Sequence, residues 1–284
     1  MKLGWTSRLQ CPRCGARGLS LDPMPSGDDP LPGRGDAACT QCHARYPIKD
    51  HVLDLTQPGD LRRLTMAGLS NVLPLMPQIY ENVWRPRSLS LLAGTPFSVV
   101  RELKQLDDWL KLERDELVVD IGSSTDLYAR GIAKSAPNGG TATIVAIDMA
   151  TNMSKGGRAY ARREEITNIA HVRAPAQKLP FTDGTVDALV CGGSLNEFKS
   201  LDAALREARR VCAPNGRMVT MSLLEASSAY GQVGQWGARL TGIQFPTLDH
   251  FNATLSATGW RREKQKVFGI VAFTSMRLAE LEAK

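Results

Sequence analysis

The sequence predicts an α/β domain, a parallel sheet covered by helices on both faces, preceded by a small cysteine-rich module. Three observations predict it. From Leu117 onward, short apolar runs rich in Val and Ile alternate with stretches of helical spacing. The first of those runs ends in a glycine-bearing turn. Four of the six cysteines stand as two Cys-x-x-Cys pairs within the first fifty residues. Apolar runs separated by helical stretches are the pattern of strands joined by helical crossovers, in which each strand is buried on both faces.

The cysteine pairs are Cys11-Pro-Arg-Cys14 and Cys39-Thr-Gln-Cys42. Each pair lets two thiolates converge on one ion, and two pairs complete a closed tetrahedral site of the kind zinc occupies. Between them lies a gap of 24 residues, in which 22–30 is rich in Pro, Gly and Asp and is expected to be a floppy loop. His43, directly after Cys42, is expected to be an exposed neighbour, since adjacent residues rarely face one ion together. A closed four-ligand site leaves no position for water or substrate, so the zinc is expected to be structural. The predicted organisation is a zinc ribbon over 1–56, a helical lid or linker over 57–115 and the α/β domain over 116–284.

In the middle segment, helical spacing is interrupted by Pro58, Pro74, Pro77, Pro86 and Pro96, which predicts several short helices. Tyr80-Glu81-Asn82-Val83-Trp84 mixes aromatic and charged residues. Two readings stay open, a lid over a ligand or a helix packing Tyr80 and Trp84 on the core.

In the α/β domain, strands are predicted at 117–122, 143–148, 171–173, 187–193 and 217–222, with helices at 128–135, 154–165 and 201–211. The last helix carries Arg206, Arg209 and Arg210 on its outer side. Residues 260–278 are expected to add two further strands. Cys191 and Cys212 fall at strand and helix positions and are expected in the core, and His171 and His250 belong to no motif.

Composition narrows the function. Apolar residues make up 43% and charged residues 23% of the 284, as in an ordinary globular protein. The formal net charge of +6 divides as +1 up to Thr56 and +5 beyond it, so no dense basic arm marks a nucleic-acid footprint. No stretch approaches the roughly 18–20 apolar residues that span a bilayer, and the first residues lack the apolar core of a signal peptide. A cytoplasmic protein with reduced thiols is expected.

Two longer runs carry a resemblance: LPFTDGTVD at 179–187 and AALREARRVCAPNGR at 203–217. In order with the predicted strands, they resemble the class I S-adenosylmethionine (SAM) methyltransferases of the UbiE and methyltransferase-11 type, over residues 97–284. The 45–55 segment resembles the last strand of Trm112-like zinc ribbons, which precede some bacterial methyltransferase domains. The resemblance implies a Rossmann-like class I methyltransferase sheet, SAM as co-substrate and an antiparallel hairpin at the end.

Residue by residue, the resemblance implies the following site. The family's glycine loop corresponds to Asp120-Ile121-Gly122-Ser123-Ser124-Thr125-Asp126, where only the first glycine is kept. Ser124 is a small replacement. Asp126 is expected to put a carboxylate where the backbone meets adenosine, in a conformation that side chains resist. Asp148 matches the acid that accepts both ribose hydroxyls, with a helix N-cap as its alternative, and Met149 is placed near the adenine. The family's adenine-contacting acid is replaced by Pro175, so that contact is missing or moves to Gln177 or the backbone near Ala176. Gly193 lies in the segment beside the methyl donor, where Asn196 takes the usual histidine position and can orient a substrate but not act as a base. Glu197 is a candidate base or a solvated loop residue. Tyr80 is the lid aromatic on the catalytic side, and Tyr230 and Trp236 are candidate pocket walls.

Three functions compete. The first is methyl transfer to a small apolar or aromatic metabolite, natural-product or quinone-like. The second is a methyltransferase fold turned to other chemistry, such as cyclisation, which Asp126 and Pro175 favour because both fall on cofactor contacts. The third is methylation of an rRNA base, which the missing basic stripe disfavours.

Overall fold

The computed structural model describes residues 4–26, 28–71, 73, 75–113, 115–135 and 142–279. One sheet of eleven strands runs through the molecule in the order β1-β2-β3-β4-β7-β6-β5-β8-β9-β11-β10. Its α/β part consists of β5 (Leu117–Ile121), β6 (Thr143–Ile147), β7 (Ile169–Arg173), β8 (Val186–Gly192), β9 (Cys212–Leu223), β10 (Trp260–Phe268) and β11 (Val271–Leu278). The first five are parallel, and β11 runs antiparallel to both β9 and β10. Every residue of β5 is buried, which is why this strand, Asp120 apart, is a continuous apolar run rather than an alternating one.

The crossover helices start where hydroxyl side chains can cap them. Ser98 caps α4 (Val99–Leu110), Ser200 caps α7 (Leu201–Val211), Ser228 caps α8 (Ala229–Leu240) and Thr247 caps α9 (Leu248–Ala257). Each accepts a backbone N–H three residues on, satisfying a donor the helix cannot. The remaining crossover helices are α5 (Leu127–Ser135) and α6 (Thr151–Arg163). Two apolar layers cover the sheet, one holding Leu106, Trp109 and Ile132, the other Leu205, Phe251 and Trp260.

The ribbon comprises β1 (Leu19–Asp22), β2 (Arg34–Cys39), β3 (Arg45–Lys49) and β4 (Val52–Asp54). The single strand expected over 45–55 is in fact a hairpin. Asp50 and His51 both have left-handed φ, +53° and +61°, and such a two-residue turn matches the twist of the strands it joins. The return strand β4 then pairs in parallel with β7, Val52 opposite His171 and Asp54 opposite Arg173. The ribbon therefore extends the main sheet. Its apolar side chains Trp5, Leu9, Leu31 and Leu53 pack in the same layer as Val172 and Phe181. The expected floppy loop is also tied down: Leu31 is buried, and Asp29 pairs with Arg158 of α6 and lies beside His51.

Between ribbon and sheet lie α1 (Met66–Ser70), α2 (Met76–Ile79), a π turn (Tyr80–Trp84) and α3 (Arg85–Ala93). Pro77 and Pro86 stand in the first turns of α2 and α3, where a missing N–H is harmless. Pro74 lies outside the described residues. Among the described residues, no helix is long and apolar enough to cross a membrane.

Candidate functional site

The strand order reverses at β5, whose neighbours are β6 and β8. At such a point the adjoining crossovers lie on opposite faces and open a crevice beyond the strands' carboxyl ends, where ligands of α/β sheets bind. A cavity of about 470 Å³ occupies this place. Its floor is made by Gly122 and Ser124 after β5, Asp148 and Met149 after β6, and Gly193 and Ser194 after β8. Tyr80, Trp84, Leu89 and Leu92 close it from the π turn and α3, and Leu64, Ala67 and Ile243 complete an apolar rim.

The loop after β5 is shaped by contacts on both sides. A Cβ on Gly122 would meet that of Ser194 at 2.5 Å, and the Ser194 hydroxyl donates to the Gly122 carbonyl at 2.8 Å. Asp148 accepts the amides of Ser124 at 2.8 Å and Ala150 at 2.7 Å. The N-cap of α6 is Ala150, without a side-chain cap, so Asp148 braces the loop before the helix and is not its cap. Burial raises the Asp148 carboxyl to about 6 against those amides, with the Asp126 charge adding to the rise. Two amides leave lone pairs free on both carboxylate oxygens. The Ser124 hydroxyl is buried beside the Tyr80 hydroxyl, which it helps to hold in its charged form.

On the far wall, Glu197 ends a short 3-10 turn (Ser194–Glu197). Burial, and then the negative Asp148, push its carboxyl to about 7, although the Asn71 amide donates to it at 3.4 Å. Burial also raises the Tyr80 hydroxyl above its usual range.

The cavity gathers Tyr80, Gly122, Ser124, Asp148, Met149, Ala176, Gln177, Gly193, Asn196 and Glu197 on its lining, together with Pro175. It does not gather Asp120 and Asp126. Asp120 is buried behind the loop, where it accepts the Ala129 amide at 3.1 Å, and burial raises its pKa strongly.

Asp126 corrects the expectation most. Its φ is +63°, as anticipated for a glycine position, but its carboxylate turns inward, away from the cavity. It lies 2.6 Å from His171 Nε2, with both side chains fully buried. Helix α6 makes room for it at Gly157, where a Cβ would fall 2.2 Å from the carboxylate. Asn196 lines the cavity but has its amide engaged elsewhere. It donates to the carbonyls of Leu223 and Gln244 and accepts the Leu223 amide, so it joins β9 to the loop after α8 where a substrate contact was expected. Trp236 is 65% exposed on the outer face of α8, not a pocket wall; the Tyr230 side chain lies outside what is described. Cys191 and Cys212 are buried core residues with thiol pKa values raised chiefly by burial.

Sequence reasoning missed Asn71 and the lid's anchors. Arg85 and Tyr128 both donate to Glu102 Oε1, at 2.5 and 2.7 Å. Glu81 accepts Thr125 at 2.6 Å and also pairs with Arg130. These partners lie 17 to 49 residues apart, beyond any local motif.

The four ribbon thiols lie within 4.8 Å of one another, with Cys11–Cys42 and Cys14–Cys39 at 3.7 Å. Zinc–sulfur bonds of about 2.3 Å in a tetrahedron put sulfurs about 3.8 Å apart, so the donor set fits zinc. The two knuckles repeat one backbone pattern. Cys11 and Cys39 donate to Ala16 and Ala44, and accept from Gly15 and His43. His43 occupies the left-handed place that Gly15 holds in the other knuckle, and it is exposed. The Tyr46 hydroxyl lies 3.0 Å from Cys11 Sγ. Burial opposes ionisation of Cys11, but that hydroxyl and nearby amides outweigh it and lower the thiol to about 6.

Residues 119–220 match the family model of a methyltransferase domain. The ubiquinone/menaquinone biosynthesis C-methyltransferase UbiE of Caulobacter vibrioides is 32% identical over 175 residues, covering 52% of this chain and 68% of that protein. The chain belongs to the class I SAM-dependent methyltransferases. An uncharacterised chloroplastic methyltransferase of Arabidopsis thaliana is 30% identical over 204 residues, 68% of this methyltransferase chain. The chain spans 56% of that relative's length. In fold it is also similar to the [4+2]-cyclase SpnF, with a TM-score of 0.56 at 16% identity over 72% of this chain and 94% of that one.

Proposed function

We propose that this chain transfers a methyl group from SAM to a small, largely apolar acceptor, aromatic or quinone-like, at an oxygen or carbon that gives up a proton. The observation that carries this reading is Glu197: a carboxyl held near neutrality on the wall of a cavity whose rim and roof are apolar. SAM supplies a methyl carbon activated by its sulfonium and keeps the carbon–sulfur electron pair as it leaves. Asp148 holds the ribose hydroxyls with its free lone pairs, and the buried Ser124 hydroxyl, beside Tyr80, lies on the same wall. Met149 packs against the adenine, with Gln177 and the backbone at Ala176 on its polar edge. Glu197 accepts the acceptor's proton while the released electron pair forms the bond to the methyl carbon. Tyr80 and the apolar lid align the acceptor and exclude water, which supplies most of the rate enhancement when the donor is already activated. The zinc ribbon is structural in this reading.

Isothermal titration with SAM and S-adenosylhomocysteine tests the donor half, and no heat with either refutes it. Glu197→Gln tests the base. It should lower kcat by roughly 10²- to 10³-fold and abolish the rise of kcat/KM with pH around 7, since the wild-type carboxyl must lose its proton to act.

A second reading, ring closure without methyl transfer, is favoured by Pro175, whose side chain lines the cavity and offers no acceptor to an adenine amino group. Asp126 lends it no further support, because its carboxylate is turned into the core.

A further inference from the structure

The cavity mouth opens onto an exposed apolar surface. On α8, Val233, Trp236 and Leu240 stand at i, i+3 and i+7, exposed by 73, 65 and 67%, so one face of that helix has nothing packed on it. The end of α8 abuts the lid: the Ala67 amide of α1 donates to the Thr241 carbonyl at 3.0 Å. There Met66 and Leu69 continue the exposed surface, and Leu75, Ile79 and Trp84 extend it along the lid. Ile79 and Trp84 are half exposed and also line the cavity. The outer apolar surface and the cavity wall are thus continuous.

The charges of these segments are mostly positive. Residues 61–92 contain Arg62, Arg63, Arg85 and Arg87 against Glu81, and residues 226–247 contain Arg239, which pairs with Glu225 just before them. Glu81 is taken up by Arg130 and Arg85 by buried Glu102. Arg62 and Arg87 are exposed, and Arg87 donates to the backbone carbonyls of Asn82 and Val83. A second copy of the chain seated face to face would bring these like charges together around an apolar contact, which is unfavourable.

We propose that this face docks on an anionic lipid bilayer, with the side chains of α8 and the lid entering the interface and Arg62 and Arg87 meeting the headgroups. An apolar acceptor then reaches the cavity past Ile79 and Trp84 without crossing water. That last point rests on the proposed substrate class; docking itself does not.

Co-flotation of the full chain with phosphatidylcholine vesicles, with and without about one third phosphatidylglycerol, tests the docking with no donor or acceptor present. The expected result is binding to the anionic vesicles that weakens as salt rises from about 0.1 to 0.5 M. Combined Val233→Ser, Trp236→Ser and Leu240→Ser should reduce the partition coefficient at least about tenfold, with an unchanged circular dichroism spectrum. Arg62→Glu with Arg87→Glu should remove the preference for anionic lipid and serves if the first variant misfolds. Equal binding to both vesicle types, or anionic binding that both variants keep, overturns the proposal. A concentration-dependent dimer that the apolar variant dissolves also overturns it, by assigning the face to a second copy.

Discussion

The ribbon and the lid are both additions to the α/β sheet, and they are attached in opposite ways. The ribbon is joined by backbone. Strand β4 pairs with β7, Gln10 donates to the Pro180 carbonyl, Thr182 donates to that of Arg8, and the ribbon's apolar residues merge with the main core. The segment over the cavity, from α1 to α3, is tied chiefly by polar side chains, Arg85 and Tyr128 on Glu102, and Thr125 and Arg130 on Glu81, with single backbone bonds at Ala67 and Leu92. Only its end, at Leu89 and Ala93, joins the core, while Met66, Leu69, Leu75, Ile79 and Trp84 face outward. An element held by a ladder and a shared core opens only when the sheet does. One held by isolated polar anchors, with several of its large apolar side chains exposed, has less to lose and is expected to open more easily.

Four experiments sharpen or break this contrast. Metal removal should have the largest effect. Purified protein should contain about one zinc per chain, and Cys39→Ser or a strong chelator should lower Tm by about 10 °C or more. A small shift would mean that the ladder holds the ribbon without the ion. Next is the lid anchor: Glu102→Ala leaves buried Arg85 without its partner. Urea unfolding should show a loss of about 3–5 kcal/mol, with early proteolytic cleavage between 61 and 93. Cleavage first in the ribbon would reverse the comparison.

Asp126→Gly tests the point where the two regions approach, since His171 pairs with ribbon Val52 on one side and Asp126 on the other. It relieves a left-handed φ but strands a buried imidazole, and the net loss should be about 1–2 kcal/mol. Donor affinity by calorimetry should stay the same, whereas a carboxylate facing the cavity would make the glycine variant bind more tightly. The smallest effect is a pH dependence. With Asp148 at about 6, donor affinity should weaken as pH falls through 6, because the protonated carboxyl loses one of its two accepting oxygens. Asp148→Asn should flatten that profile.

Much of this architecture is written in local pattern. Knuckles, strands and capped helices depend on neighbours within a few positions, so Cys11 and Cys14, the largely apolar β5 and Ser200 before α7 can be placed from sequence. Position in a motif also led to much of the cavity floor, from Gly122 to Glu197, but not to the apolar rim at Leu64, Ala67, Leu89, Leu92 and Ile243. What could not be read depends on partners far along the chain. Asp126 looks like a misfit in a glycine loop until His171, 45 residues away, and the space left by Gly157 are seen. Asn196 looks like a substrate ligand until the carbonyls of Leu223 and Gln244 claim its amide. The turn at Asp50-His51 contains no glycine, so the hairpin that inserts β4 gives no conventional signal.

Pairing β4 with β7 also closes an open edge. A parallel strand as apolar as β7, left unpaired, would offer a ladder of free N–H and C=O groups to any other chain. At the opposite end the sheet defends itself by composition, since β10 carries Arg261, Arg262, Lys264 and Lys266 and a bulge between Arg262 and Lys264. The β7 side carries only Arg173 at its end, paired with Asp54 of the ribbon, and relies on the ribbon to cover it. Loss of an ion held by the four thiols is therefore expected to do more than loosen a small module: it should expose a seam at the middle of a continuous sheet. Demetallated chains are expected to disappear into aggregates at a rate that climbs with their concentration.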